Sequence, residues 1–146
     1  MAGPQIIFDV DRFTDTSRSV IRNAAHAMGL VWPYYVGDAE IRVHLVFQDH
    51  LYHSKTYHPL PWHGLCTPEE RRIRLAVAAH EGAMGPLRLD QASIVTTAHE
   101  MMHLVQHHRG DPLVALLSDD GSISSDYYAH PHEREAWDAG LHALKP

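Results

Sequence analysis

Apolar and polar residues alternate along this chain with two different periods, and the changes of period mark its elements. Glu40–Gln48 has period two, with Ile41, Val43, Leu45 and Phe47 on one side and Arg42, His44, Val46 and Gln48 on the other. That pattern predicts a half-buried strand. Arg71–Ala79 repeats it at Ile73, Leu75 and Val77 and predicts another strand; Gln5–Val10 predicts a short first one. After Asp11–Asp15 the period lengthens to that of a helix, with Val20, Ile21, Ala24, Ala25 and Met28 on one stripe. Thr14, Asp15 or Thr16 is expected to cap this helix and Gly29 to end it, leaving Trp32–Gly37 as a connector.

A second helical stripe runs through Leu89–Gly110, at Ile94, Val95, Ala98, Met101, Met102 and Val105. Asp90 is the expected N-cap and Gly110 the residue just past the C-terminus. A last helix is expected from Pro131, with Glu133 and Glu135 in its first turn and Ala136, Trp137, Gly140, Leu141 and Leu144 on its apolar face. Between these elements, Asp49–Pro68 reads as irregular, Pro112–Leu117 as one or two helical turns, and Ser118–Asp126 as a polar loop.

The helix over Leu89–Gly110 carries the chain's most informative motif. His99-Glu100-Met101-Met102-His103 has the form H-E-x-x-H. Residues four apart share one helix face, so the two imidazoles can hold one zinc ion and Glu100 can act as general base on a water. On a helical wheel His99 lies at the edge of the apolar stripe and His103 about 40° further round. That placement suits side chains that leave the core and line a cleft.

Glu133 supplies the third candidate ligand. It stands three residues before Ala136 and four before Trp137, so it projects from the middle of the last helix's apolar stripe. A carboxylate there is costly unless it is paired or bound to a metal. Glu135 points to the other side. Asp126, Glu135 and Asp138 are candidates to hold the histidines from behind. Tyr127, or Tyr128 beside it, is the candidate to stabilise an oxyanion with its hydroxyl.

Composition narrows the reading. The 146 residues are enough for one domain with a real core, taken here as 1–146. The formal net charge of −6, with no basic face, argues against nucleic-acid binding through phosphates. A single cysteine, Cys66, excludes a disulfide framework. No apolar run approaches the ~18–20 residues of a membrane span and no secretory leader is visible, so a cytoplasmic setting is expected, with association to a virion or larger assembly as the other. His50, His53, His58 and His63 lie among Tyr52, Tyr57 and Trp62, but no pair of them has a helical ligand spacing. They read as a His-rich surface loop rather than a second metal site.

Tyr127-Tyr128-Ala129-His130-Pro131-His132-Glu133-Arg134-Glu135-Ala136 fits the pattern Y-x-x-x-P-x-E-x-E-A. Together with the upstream H-E-x-x-H it resembles the small gluzincin-type zinc metallopeptidases, many of them uncharacterised and encoded in bacterial or phage genomes. The resemblance covers about Ser93–Leu141. It implies a zinc ion held by His99, His103 and Glu133, Glu100 as the base, and a peptide or protein substrate. In that group the third ligand is the Glu three before the Ala, which here is Glu133. The fold expected is a minimal α+β, zincin-like domain: a small sheet, an N-terminal helix, the H-E-x-x-H helix and a C-terminal helix bearing Glu133. The strand over Arg71–Ala79, just ahead of the motif helix, is expected to be the sheet edge along the cleft that pairs with extended substrate.

Other zinc patterns fit less well. The metzincin motif needs Gly where Gln106 stands and His where Arg109 stands. Deformylases pair H-E-x-x-H with a cysteine, but the glycine-rich motif of that family is missing around Cys66. Two readings from other classes stand beside the peptidase: a catalytically silent zinc-binding structural or interaction module, and a His-rich metal buffer.

Overall fold

The computed structural model describes residues 6–52, 55–60, 62–78, 89–111 and 130–144. Among them are three α-helices and a small sheet, so the domain is mixed α and β. The first strand, β1, spans Ile6–Arg12, and helix α1 spans Arg18–Tyr35. Strand β2 follows at Ile41–Gln48, then β3 at Leu51–Tyr52, β4 at Pro59–Leu60 and β5 at Gly64–Thr67. A 3-10 turn at Pro68–Glu70 leads into β6 at Arg72–Ala76. Helix α2 covers Leu89–His108 and α3 covers Pro131–Ala143.

The main sheet has the order β1-β2-β6-β5. The first three strands are mutually parallel, with α1 as the crossover between β1 and β2. Strand β5 runs antiparallel to β6. The predicted edge strand is therefore an inner one: β6 lies between β2 and β5, and β5 is the outermost strand among the described residues. Asp49–Pro68, expected to be irregular, holds three short strands, and β3 pairs with β4 in a separate ribbon. These strands escape a periodicity argument because long-range pairing, not local alternation, defines them.

The alternation of β2 sorts its two faces as expected. Ile41, Val43, Leu45 and Phe47 are buried with Ile73 and Leu75 of β6 against the helices. Helix α1 adds Val20, Ala24, Ala27, Met28, Val31 and Trp32 to the same core. It starts at Arg18 with Ser17 as N-cap, whose hydroxyl accepts from the Val20 amide at 3.3 Å. It also runs through Gly29 and Pro33, beyond the expected stop. Trp32 explains this: it is 1% exposed, donates from Nε1 to the Ala39 carbonyl at 2.6 Å, and stacks edge-on to His108. Burial of that ring outweighs the weak helix preference of Gly and the missing amide of Pro.

Helix α2 begins at Leu89, one residue ahead of the expected cap, and ends before Gly110, which takes φ +81°. It packs against α1, α3, β5 and β6. The buried face of α3 is Glu133, Ala136, Ala139, Gly140 and Ala143, while Leu141, expected to be inward, is 57% exposed. These small residues let α3 approach α2 closely. A Cβ on Gly140 would lie 2.8 Å from the Val95 carbonyl oxygen and 3.0 Å from Val95 Cγ1. Gly140→Val is expected to push the helices apart at a cost of about 1–3 kcal/mol, read as a lower urea midpoint at unchanged slope.

Candidate metal centre

The close α2–α3 crossing brings the first turn of α3 over the motif in α2. His130 caps α3 by accepting from the His132 amide at 3.2 Å, and Pro131 occupies the first helical position. One turn of helix then aims Glu133 inward. His99 Nε2 lies 3.1 Å from Glu133 Oε1, and His103 Nε2 lies 2.9 Å from Glu133 Oε2. His99 and Glu133 are buried and His103 nearly so, with side-chain exposures of 6%, 11% and 14%. The histidine rings stand edge to face with centroids 5.0 Å apart.

Glu100 lies in the same cluster. One ligand atom each of His99, Glu100 and His103 falls within 4.8 Å of the others. Two carboxylates thus flank the imidazoles, and they are not equivalent. Glu133 engages both Nε2 atoms directly, while Glu100 faces the sheet edge. A Cβ on Gly64 of β5 would meet Thr96 Cγ2 at 2.7 Å and Glu100 Cγ at 3.3 Å. Only a glycine lets β5 pass this close to the motif helix.

The donor set suits a metal. Two imidazole Nε2 atoms and a carboxylate converge at 2.9–3.1 Å. Neighbouring donors on a tetrahedral zinc, each ~2.0–2.1 Å from the ion, are separated by roughly 3.3 Å. Each Nε2–oxygen separation is a few tenths of an ångström short of that spacing. The His99 Nδ1 atom is buried and has no hydrogen-bond partner among the described residues; the Trp137 ring packs against His99 at 4.6 Å.

Without a metal the cluster is an acid–base triad. Burial alone pulls the His103 imidazole down, but the Glu133 hydrogen bond, the charges of Glu100 and Glu133 and the Gln106 bond raise it from 6.5 to about 9. Burial would raise Glu133, yet its bonds to His103 and His99 hold it well below the usual carboxylate range. The His103 contribution to stability is fully present below pH 6.5 and is lost as pH rises through about 9. The Glu133 contribution is present above about 4.5 and is lost as pH falls. Metal-free protein is therefore expected to be most stable between about pH 4.5 and 6.5 and to lose up to about 3 kcal/mol by pH 9, measured by thermal melts in chelator.

The ring of His103 is held from behind by a residue that the sequence reading weighed only as a mismatch. Gln106, fully buried, lies one turn beyond His103, 2.8 Å from His103 Nδ1 through Oε1. Its Nε2 donates to the His132 carbonyl and to Glu135 Oε1, both at 2.9 Å. Glu135 is also bound by Arg109, whose Nη2 lies 2.7 Å from Oε1. Glu135 thus reaches His103 through Gln106, and its ion partner is Arg109. The signal for Gln106 in the sequence is an amide three residues past a ligand histidine, on the same face of the helix.

Other predicted residues fall elsewhere. Asp138 is exposed. Asp126, Tyr127 and Tyr128 lie outside the described residues, as do Pro112–Leu117 and Ser118–Asp126. Among the described residues His50, His58 and His63 join no group able to hold a metal. Burial pushes the Cys66 thiol well up, with Glu100 and Glu69 adding to the shift, so it stays a protonated thiol beside the motif. Two hollows, of about 610 Å³ at Arg12–Ser17 and about 500 Å³ on the helix-free side of the sheet, are lined by other residues. Among the described residues no helix is long and apolar enough to cross a membrane. Compared with known protein families, curated proteins and solved structures, the chain matches none of them.

Proposed function

We propose that the chain is a minimal zincin-like zinc metallopeptidase that hydrolyses peptide bonds. The convergence of His99 Nε2, His103 Nε2 and the Glu133 carboxylate at 2.9–3.1 Å, with Glu100 beside them, carries the reading. His99, His103 and Glu133 would hold the ion. Zinc bound by such a set supplies a Lewis acid that polarises a carbonyl and acidifies a water.

The chain's own residues supply the rest. Glu100 takes the proton of the attacking water and returns it to the leaving amine. Gly64 keeps the β5 backbone against Glu100. Because β5 is the outermost strand among the described residues, an extended peptide pairing with it would pass the base. In this reading the cleft edge is β5, and β6 supports it from inside. Tyr127, the sequence candidate for the oxyanion, lies outside the described residues.

His103 would hold an ion only as the neutral imidazole, so affinity is expected to rise with pH toward about 9. The first test is metal analysis of purified, tag-free protein. One zinc per chain, with hydrolysis of an unfolded protein substrate abolished by chelator and restored by zinc, supports the proposal. No stoichiometric zinc would sink it, and several ions per chain would favour a His-rich metal buffer.

A further inference from the structure

The contacts around His103 fix more than the position of its ring. One end of the Gln106 amide lies 2.9 Å from the His132 carbonyl oxygen and 2.9 Å from Glu135 Oε1. Both partners are acceptors, and Glu135 is further committed by Arg109 at 2.7 Å. That end of Gln106 must therefore be its NH2 group. The opposite end is the carbonyl oxygen, 2.8 Å from His103 Nδ1. A carbonyl oxygen only accepts, so Nδ1 must carry hydrogen. In a neutral ring the lone pair then sits on Nε2, the nitrogen that faces Glu133. The deduction needs no observed hydrogen, because the two acceptors at the far end of the amide decide it.

Among the described residues His99 has no equivalent. Its Nδ1 finds no hydrogen-bond partner among the described residues, and the Trp137 ring restrains it instead. Among the described residues, then, a directed hydrogen-bond chain meets His103 and a packed ring meets His99.

We infer that Gln106 is the positioning residue that holds His103 in its metal-binding tautomer, and that Arg109 and Glu135 set the direction of the Gln106 amide. The inference rests on the zinc reading of the site and deepens it. A merely structural Gln106 would tie α2 to α3 through His132 and Glu135, and any replacement would cost stability. Such a tie would not distinguish a replacement that keeps an acceptor for Nδ1–H from one that lacks it.

The experiment compares Gln106→Met with Gln106→Glu in the full chain, measuring zinc affinity by competition with a chromophoric chelator and stability by thermal melts. Gln106→Met removes the acceptor at similar volume and is expected to weaken zinc by about 10–100-fold. Gln106→Glu keeps an acceptor but sets a carboxylate against the His132 carbonyl and Glu135. It is expected to melt lower than wild type yet bind zinc at least tenfold more tightly than the Met variant. In ¹⁵N-labelled zinc-loaded wild type, a His103 Nδ1–H signal protected from exchange and close to the Gln106 side chain is expected, and that protection should be lost in Gln106→Met. Zinc affinities that simply follow melting temperature, or that are equal in the two variants, overturn the inference while leaving the zinc site standing. If the Met variant does not fold, a folded Gln106→Glu variant that has lost tight zinc binding overturns it. A wild type that takes up no zinc overturns the proposed function and this inference with it.

Discussion

Glu100→Gln is expected to leave one zinc per chain and to lower peptide hydrolysis by about 10²–10⁴-fold, the usual contribution of a positioned general base. Glutamine matches the shape of glutamate but cannot take a proton from water. Glu100 is 7% exposed and sits where β5 crosses the motif helix, so the substitution changes charge in a confined place without opening a cavity. Glu133, not Glu100, engages both imidazole Nε2 atoms. Zinc retention with lost turnover therefore separates base from ligand. Retained hydrolysis would remove Glu100 from the mechanism. A wild type that holds zinc but cleaves nothing across a broad peptide library would instead favour the silent zinc-holding module.

The second large effect is at Glu133. Glu133→Ala would delete one of the three proposed protein ligands. Structural zinc sites contribute roughly 10–16 kcal/mol, so loss of one ligand is expected to cost on the order of 3–5 kcal/mol of zinc binding, a hundredfold or more. Glu135→Ala should keep the ion. Glu135 touches Gln106 and Arg109 but neither motif histidine, so its removal loosens the support of His103 without deleting a donor. Metal analysis after dialysis against a weak chelator distinguishes the two. Equal zinc retention in both variants would place the third ligand elsewhere and sink the three-residue site.

Sequence periodicity revealed most of what a single helix or strand can encode. The buried odd positions of β2, the stripe of α2 and the inward Glu133 all follow from counting along one element. What it missed depends on two elements meeting. Gly29 and Pro33 looked like stops because the partners of Trp32 are Ala39 and His108, one beyond the helix and one far along the chain. The β5 strand has no local signature, and its pairing with β6 demotes β6 from edge to interior. Gln106 resembled a failed metzincin glycine until α3 supplied the His132 carbonyl and Glu135 on its far side. Leu141 shows the same limit from the other direction. The wheel counted it inward, but the α2 contact runs along the small residues Ala136, Ala139, Gly140 and Ala143.

Among the described residues, helix α2 is gripped on several sides, by α1, α3, β5 and β6, whereas α3 leans chiefly on α2 with a lesser contact to α1. The candidate ligands divide along that line, two on the gripped helix and one on the leaning one. Glu133 meets His99 across 34 residues of chain, so an ion shared between them would clasp a long loop shut. Its escape would then require α3 to lift, a local opening that costs less than global unfolding. The residence time of the metal becomes a property of helix docking as much as of coordination. Substitutions along the Ala136–Ala143 seam, well away from any donor atom, would set how long the ion stays.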